Sequence, residues 1–186
     1  MTVQNPAQNP AKSPRRTLRQ VLLAATGATC AIALLPLALP AEAHVERTTV
    51  IDAEASELYA LVASNEGYQR FNPYKDADPQ LQIDLFGPSS GVGSGFHFDG
   101  ADGTGTQTVA AVEPGRSVLM DIDLGPMGRP QQRFVFEPTQ GGTRVTWQLD
   151  ADLGYNPLAR VAGLFMDDMM GTTFERGLAN LGNAAT

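Results

Sequence analysis

The 186-residue chain has one cysteine and only two histidines, which argues against several kinds of site. Cys30 lies in an N-terminal extension, so the rest of the chain has neither a disulfide nor a thiol nucleophile. His97 lies within a predicted strand, with no cysteine or second histidine nearby, whereas zinc usually takes three or four protein ligands. We therefore expect no metal and no cofactor, and strand alternation places His97 on the outer side.

Basic residues are scarce beyond the N-terminus. Residues 44–186 carry nine Lys and Arg against nineteen Asp and Glu, whereas residues 1–43 carry four against one. Nucleic-acid binding requires basic patches that neutralise phosphates, and anionic lipid surfaces attract basic segments. The acidic body is therefore expected neither to bind nucleic acid nor to adsorb to anionic membranes.

The first 43 residues have the layout of an export signal. A basic stretch, residues 15–19, precedes an apolar run over residues 21–40, and Ala41-Glu42-Ala43 follows. This order predicts cleavage between Ala43 and His44 and a periplasmic or extracellular protein, with Sec and twin-arginine export both open. About twenty apolar residues also suffice to span a bilayer, so an uncleaved membrane anchor remains the alternative.

The body, residues 44–186, is predicted to be one domain built mainly of short strands. A strand over residues 45–51 precedes a helix capped by Asp52 and ending at Ala63, then a short helix over residues 65–70. Charged residues alternate with apolar ones in the later strands, which predicts an antiparallel sheet with one buried face. Six further strands, separated by turn residues, are expected over residues 81–86, 94–100, 105–112, 117–124, 131–137 and 143–151.

A long C-terminal helix is predicted to cover this sheet. Asn156-Pro157 suits a helix start, because asparagine caps the first N–H groups and proline fits the first turn. The apolar stripe before Gly171 includes Phe165 and Met169, while the stripe after it includes Phe174. The two stripes point in different directions, so we expect the helix to bend or break at Gly171.

Several short motifs resemble the polyketide cyclase/dehydrase-like branch of the START/Bet v 1 superfamily. The resemblance covers about residues 45–181 and implies an α+β helix-grip fold. In that fold a curved antiparallel sheet of about seven strands wraps around a long C-terminal helix, with two short helices after the first strand. Members bind lipids, sterols, polyketides or plant hormones, and some are enzymes. The motifs are Phe71-Asn72-Pro73-Tyr74, residues 91–96, Glu113-Pro114, residues 142–147 and residues 171–181.

The candidate ligand site is a set of aromatic and methionine residues between sheet and helix. Methionine adapts to irregular shapes, so such a wall suits a pliable apolar pocket, although the same residues would also serve as an ordinary core. The predicted lining comprises Phe96, Phe98, Met120, Ile122, Phe134, Phe136 and Trp147 from the sheet, and Phe165, Met169, Met170 and Phe174 from the helix.

No Ser/His/Asp, Cys/His or metal constellation is evident, so no catalytic residue is assigned. Asp167 and Asp168 diverge by about 100° on a helix and are expected to lie on a solvated surface. The sequence predicts an exported protein that binds a small hydrophobic or amphipathic molecule, contacts a membrane only through an uncleaved N-terminus, and has an undetermined oligomeric state. Two alternatives stay open: a cyclase, dehydratase or hydrolase using the same cavity, and an envelope interaction module with a closed core.

Trp147 provides a direct test of the predicted faces. It lies in the middle of a strand on the apolar side, so Trp147→Ala is expected to lower the free energy of unfolding by ~3–5 kcal/mol. A loss of that size threatens a domain of ordinary stability. Chemical denaturation measures it, and near-wild-type stability would show that Trp147 points to solvent.

Overall fold

The computed structural model describes residues 38–185, so the basic stretch, Cys30 and most of the predicted export signal or anchor lie outside the described residues. No helix within residues 38–185 is long and apolar enough to cross a membrane. The elements, in chain order, are β1 (Glu42–Ile51), α1 (Ala55–Val62), α2 (Asn65–Phe71), α3 (Pro73–Ala77), β2 (Gln82–Phe86), β3 (Gly95–Gly100), β4 (Gly103–Glu113), β5 (Ser117–Asp123), a short 3₁₀ helix (Gly125–Met127), β6 (Gln131–Thr139), β7 (Gly142–Asp152), α4 (Pro157–Gly163) and α5 (Met166–Ala184).

The strands form one antiparallel sheet in the order β1-β7-β6-β5-β4-β3-β2. The alternation in β5 defines the two faces, because Val118 and Met120 are buried while Asp121 is exposed. The register shifts between Val109 and Ala111 of β4, and such a bulge bends a strand and increases its twist. The predicted seven-stranded antiparallel sheet and the α+β helix-grip fold are therefore confirmed.

Aromatic rings fill the space between the sheet and the helices. Trp147 of β7 is fully buried and stacks on Phe174 of α5, with ring centroids 4.3 Å apart and planes inclined by 8°. Phe134, on the neighbouring strand, lies 4.6 Å from Trp147, and Phe71 of α2 meets the same ring edge-on at 6.5 Å. The indole of Trp147 therefore contacts the sheet, α2 and α5 at once.

The C-terminal helix breaks earlier than predicted. Asn156 caps α4 as expected, since its side chain accepts hydrogen bonds from the backbone N–H groups of Leu158 and Ala159. The break lies at residues 164–165, however, and Gly171 is part of the uninterrupted helix α5. The predicted bend at Gly171 is therefore wrong.

Gly171 instead makes room for a side chain from β1. A Cβ at this position would overlap the guanidinium group of Arg47. That group forms ion pairs with Asp167 at 2.8 Å and Glu175 at 3.0 Å, which join α5 to β1. Hydrogen bonding to Arg47 lowers the pKa of the Asp167 carboxyl. Asp167 thus has a defined partner, in addition to the solvent exposure that the sequence predicted.

The first apolar stripe of the C-terminal segment faces away from the sheet. Phe165 and Met169 are 55% and 72% exposed, so their assignment to an inward-facing set is wrong. The physical reason lies in α4, whose buried residue is Arg160. Its guanidinium donates to the backbone oxygens of Gly154 at 2.7 Å and Leu39 at 3.0 Å, which turns the apolar side of the segment outward.

The N-terminal elements differ from those expected in three respects. β1 begins at Glu42, ahead of the predicted cleavage point. Helix α1 follows Glu54, so Asp52 does not cap it. Asn72 ends α2 and also caps α3, a third short helix that was not predicted; its side-chain oxygen accepts from the Tyr74 N–H at 3.1 Å.

Gly177 marks a close approach of α5 to Trp147. A Cβ there would overlap the indole ring and lie 3.1 Å from Cγ of Pro73. Because the indole is packed on all sides, Gly177→Ala is expected to lower the free energy of unfolding by about 1–3 kcal/mol, despite a helix-propensity gain of about 1 kcal/mol. Urea denaturation measures the difference.

Gly182→Ala, on the same helix, is the matched control. Its Cβ would lie 3.5 Å from Ile51, an ordinary van der Waals contact, so this variant is expected to be as stable as the parent or more so. Equal stabilities of the two variants would contradict the tight packing of Gly177 on Trp147.

Candidate ligand site

Three polar side chains are buried on the inner side of the sheet. Gln107 belongs to β4, Gln132 to β6, and Tyr68 reaches them from α2. They meet around Met120 of β5, which pairs directly with Gln132 in the strand ladder. We call Tyr68, Gln107, Met120 and Gln132 the polar cluster.

Hydrogen bonds link the members of the polar cluster. Nε1 of Trp147 donates to Oε1 of Gln132 at 2.9 Å, which fixes the orientation of that amide. Nε2 of Gln132 then lies 3.4 Å from the Tyr68 hydroxyl and 3.5 Å from the Met120 sulfur. Nε2 of Gln107 donates to the same sulfur at 3.0 Å. A thioether is a weak acceptor, so the contact of each amide with the Met120 sulfur is weaker than the hydrogen bonds that buried polar groups normally form.

Tyr68 contributes a neutral hydroxyl to the polar cluster. Burial raises the pKa of Tyr68 to about 12, opposed by hydrogen bonds from Gln132 and Gln107 to the phenol oxygen. Its ring packs against Phe71 and Phe96, with centroids 4.7 and 5.4 Å away. Near neutral pH this phenol is therefore protonated and serves as a neutral hydrogen-bonding group.

A cavity of about 10 Å³ adjoins the polar cluster, a volume that fits about one water molecule. This cavity is thus nearly filled, and a larger molecule needs side chains to move before it can bind here. Met120 is the most adaptable of them because it is unbranched and has three rotatable bonds. The described lining residues include one titratable side chain, Tyr68, and are Val62, Ser64, Asn65, Tyr68, Ser94, Gly95, Phe96, Gln107, Val109 and Met120. A larger open recess, of about 570 Å³, lies between β1 and α5.

The loop between β2 and β3, residues 87–94, adjoins this cavity and is hydrogen-bonded to the start of α2. The Asn65 backbone N–H donates to the Ser89 carbonyl at 3.2 Å, and its side chain donates to the Phe86 carbonyl at 3.2 Å. The Gly91 N–H donates to the Ala63 carbonyl at 2.8 Å. Glycine tolerates the positive φ angles that shape this loop, which occur at Gly87, Gly91 and Gly93.

The predicted lining residues separate into three groups. Phe96 and Met120 line the cavity. Phe165 and Met169 lie on the exposed surface described above. The remaining seven pack within or against the core, without contact with the cavity: Phe98, Ile122, Phe134, Phe136, Trp147, Met170 and Phe174. Whether any of the buried residues contacts a ligand stays a prediction.

Sequence analysis missed the two glutamines and Tyr68, although the glutamines had left a signal. Gln132 lies two residues before Phe134 in β6, and Gln107 lies two residues before Val109 in β4. Side chains two residues apart share a strand face, so both glutamines occupy inward positions. A polar residue on the apolar side of an alternating strand is a candidate for a buried polar contact. Tyr68 belongs to a seven-residue helix that is too short to show a clear period.

Neither histidine belongs to the candidate site. His97 is exposed and its ring lies 4.7 Å from Phe86, as its predicted outward position implies. His44 is also exposed, and its hydrogen bond to Asp150 at 2.7 Å raises the pKa of the imidazole. Within the described part of the chain, no group of three or more His, Cys, Asp or Glu side chains is placed to hold a metal ion.

Comparison with known proteins places the fold in a broad family. The model of the family described as polyketide cyclase/dehydrase and lipid transport matches residues 42–186. The di-domain ARO/CYC StfQ from the steffimycin biosynthetic pathway superposes with a TM-score of 0.58 at 14% identity, covering 96% of this chain and 61% of StfQ. No curated protein matches the chain.

Two further solved structures have the same fold. A Thalictrum flavum norcoclaurine synthase point mutant, in complex with a transition state analogue, gives a TM-score of 0.59 at 10% identity and covers 77% of this chain and 94% of the synthase. A Mesorhizobium loti protein gives 0.53 at 20% identity, covering 76% and 95%. At these identities the likeness concerns the fold alone.

The buried phenol of Tyr68 predicts a loss of stability at alkaline pH. The unfolded chain releases this proton near pH 10.0, whereas the folded protein holds it until about pH 12. Because the folded pKa is raised, the stabilisation is fully present below pH 10 and is lost as the pH rises toward 12. The expected loss is about 1.4 kcal/mol per pH unit.

Tyr68→Phe is expected to flatten this part of the stability profile, measured by urea denaturation at successive pH values. Tyr74, whose pKa burial also raises, is retained in both proteins and changes both profiles in the same sense. An unchanged slope in the variant would contradict the burial of Tyr68.

Proposed function

Because the chain belongs to the polyketide cyclase/dehydrase and lipid transport family, we propose that it binds a small amphipathic molecule through the polar cluster. One observation carries this proposal: Gln107 and Gln132 both direct an amide N–H at the Met120 sulfur, at 3.0 and 3.5 Å. Burying such groups against a weak acceptor reduces stability. A ligand oxygen at this point would accept from both amides and provide the stronger pairing.

The chemistry of the polar cluster selects for a neutral oxygen on the ligand. Two carboxamides and a neutral phenol offer hydrogen bonds without charge, which suits a ketone, a phenol or an alcohol. The described residues that line the cavity include no Lys or Arg, so a phosphate or carboxylate group is disfavoured there. Phe96, which lines the cavity, supplies an aromatic ring for the apolar part of the molecule.

Binding at the polar cluster requires the adjoining cavity to enlarge, because it holds only about 10 Å³. A change of rotamer at Met120 frees space without breaking backbone hydrogen bonds. The β2–β3 loop is the adjoining surface element, and its hydrogen bonds to Asn65 and Ala63 must break if it moves. The affinity therefore includes the free energy of separating this loop from α2.

Catalysis in the same cavity is the second candidate, since StfQ and norcoclaurine synthase carry the names of biosynthetic proteins. General acid–base catalysis works best when the catalytic group has a pKa near the working pH. Among the described lining residues Tyr68 alone is titratable, and its pKa of about 12 is far from neutrality. Binding without turnover is therefore the function that the geometry favours.

The only tryptophan of the chain reports directly on this site, because the Trp147 indole donates to Gln132. The full chain is titrated by calorimetry with a planar phenolic ketone such as emodin and a long-chain alcohol such as dodecanol. We expect saturable binding of at least one probe and, with dodecanol, which does not absorb near the indole, a change in Trp147 emission.

Gln107→Leu is the decisive variant. It is expected to weaken binding at least tenfold while changing the free energy of unfolding by less than about 1 kcal/mol, because an apolar side chain of similar size replaces the amide and Gln132 still donates to the Tyr68 hydroxyl. Gln131→Leu is the matched control: Gln131 is exposed on β6 and bonds Asp121 on the outer face, so affinity should not change.

Three outcomes would contradict the proposal. If Gln107→Leu lowers the free energy of unfolding by more than about 1 kcal/mol and keeps the affinity, the amide is structural. If no probe binds and native mass spectrometry finds no retained molecule, the closed-core interaction module is favoured. If a bound probe is chemically converted, the protein is an enzyme.

A further inference from the structure

An exposed apolar surface surrounds the break between α4 and α5. Large apolar groups concentrated in this way mark a contact with another molecule or with lipid. Leu158 is 80% exposed, so its side chain is almost fully wetted in the isolated domain. Six of the ten large hydrophobic side chains that are exposed within residues 38–185 lie here, and we call them the apolar surface: Tyr155, Leu158, Val161, Leu164, Phe165 and Met169.

The N-terminal segment joins the folded domain at the same place. The buried Arg160 of α4 donates to the Leu39 carbonyl at 3.0 Å. Four residues before α4 begins, the Leu153 N–H donates to the Ala41 carbonyl at 2.7 Å. Residues 39–41 therefore lie beside α4 immediately before β1 begins, and the apolar run over residues 21–40 ends against this helix.

The sequence of that run suits a membrane span. Residues 21–41 contain no charged side chain, and four basic residues precede them, Lys12, Arg15, Arg16 and Arg19. About twenty apolar residues cross the hydrocarbon core of a bilayer, and basic residues favour the cytoplasmic side. A chain that crosses in this way leaves the membrane next to α4, which brings the apolar surface to the level of the lipid.

The predicted cleavage point lies inside the folded structure. Glu42 and Ala43 already belong to β1, paired with Asp152 and Ala151 of β7, and Ala43 is buried. Cleavage between Ala43 and His44 would remove these two ladder positions. It would also remove the Ala41 and Leu39 carbonyls that accept from Leu153 and Arg160. The packing therefore favours a mature chain that retains residues 39–43.

We propose that the chain stays anchored in a membrane through residues 21–40 and that the apolar surface is inserted into the adjoining lipid. The nearby charges indicate which lipid. Asp152 and Asp168 flank the surface and are both exposed, so a zwitterionic bilayer without net charge is preferred to an anionic one.

The test uses the full chain in phosphatidylcholine vesicles, with Cys30→Ser to remove its single cysteine. Leu158→Cys carries an environment-sensitive NBD label, whose emission is expected to shift to shorter wavelength and to be quenched by spin-labelled lipid. Val92→Cys is the matched control, because Val92 is 59% exposed in the β2–β3 loop and its label should emit as in water. Addition of phosphatidylglycerol should weaken the shift at position 158.

A pair of charges tests whether the apolar surface itself makes the contact. Leu158→Glu combined with Phe165→Glu is expected to abolish the emission shift of an NBD label attached at Met169→Cys. The melting temperature should be unchanged, because both replaced side chains are exposed. A shift that survives the two charges would overturn the insertion of this surface.

Three other results would also overturn the proposal. The first is water-like emission at position 158 in vesicles that retain the chain. The second is an emission shift that depends on protein concentration and not on lipid concentration, which would show that the apolar surface binds a second copy of the chain. The third is a mature N-terminus at His44, found by intact-mass measurement of the exported and membrane fractions.

Discussion

The contact between Trp147 and Phe174 determines how the other parts of this structure are arranged. The indole lies parallel to the Phe174 ring at 4.3 Å, which holds α5 on the sheet. The same side chain donates to Gln132 at 2.9 Å, which orients an amide of the polar cluster. Gly177 lacks a side chain where α5 meets the indole. Any displacement of Trp147 would therefore change the position of the helix and the direction of the buried amide together.

The small cavity avoids one loss of stability, and the polar cluster causes a smaller one. Ligand pockets usually measure at least about 300 Å³, and a dry void of that size would reduce stability by roughly 7 kcal/mol at about 24 cal/mol per Å³. That loss is comparable with the whole stability of a typical domain. A cavity of only about 10 Å³ beside the polar cluster avoids it. The remaining penalty is the weak pairing of Gln107 and Gln132 with the Met120 sulfur, which the proposed ligand oxygen would relieve.

Local chemistry made the sheet predictable, whereas contacts between distant parts of the chain decided the rest. All six later strands lie within two residues of their predicted ends, because alternation and turn residues are local constraints. Periodicity shows where a helix has an apolar stripe but not what covers it, and the burial of Arg160 turned the first stripe outward. A glycine at position 171 is equally compatible with a bend in the helix and with close contact from another element. Only the position of Arg47, from β1, distinguishes them.

Helix α4 reverses the usual arrangement of a surface helix. It buries its one basic residue and exposes Leu158 and Val161, whereas a helix in water normally exposes charge and buries aliphatic groups. An apolar environment on the outer side would make this reversed arrangement favourable, since about 25 cal/mol is gained per Å² of apolar surface removed from water. The inner side has the opposite requirement, because a buried guanidinium needs acceptors, and the Leu39 carbonyl is one of them. The residue that fixes the N-terminal segment and the residues that would meet lipid therefore lie on opposite sides of one helix.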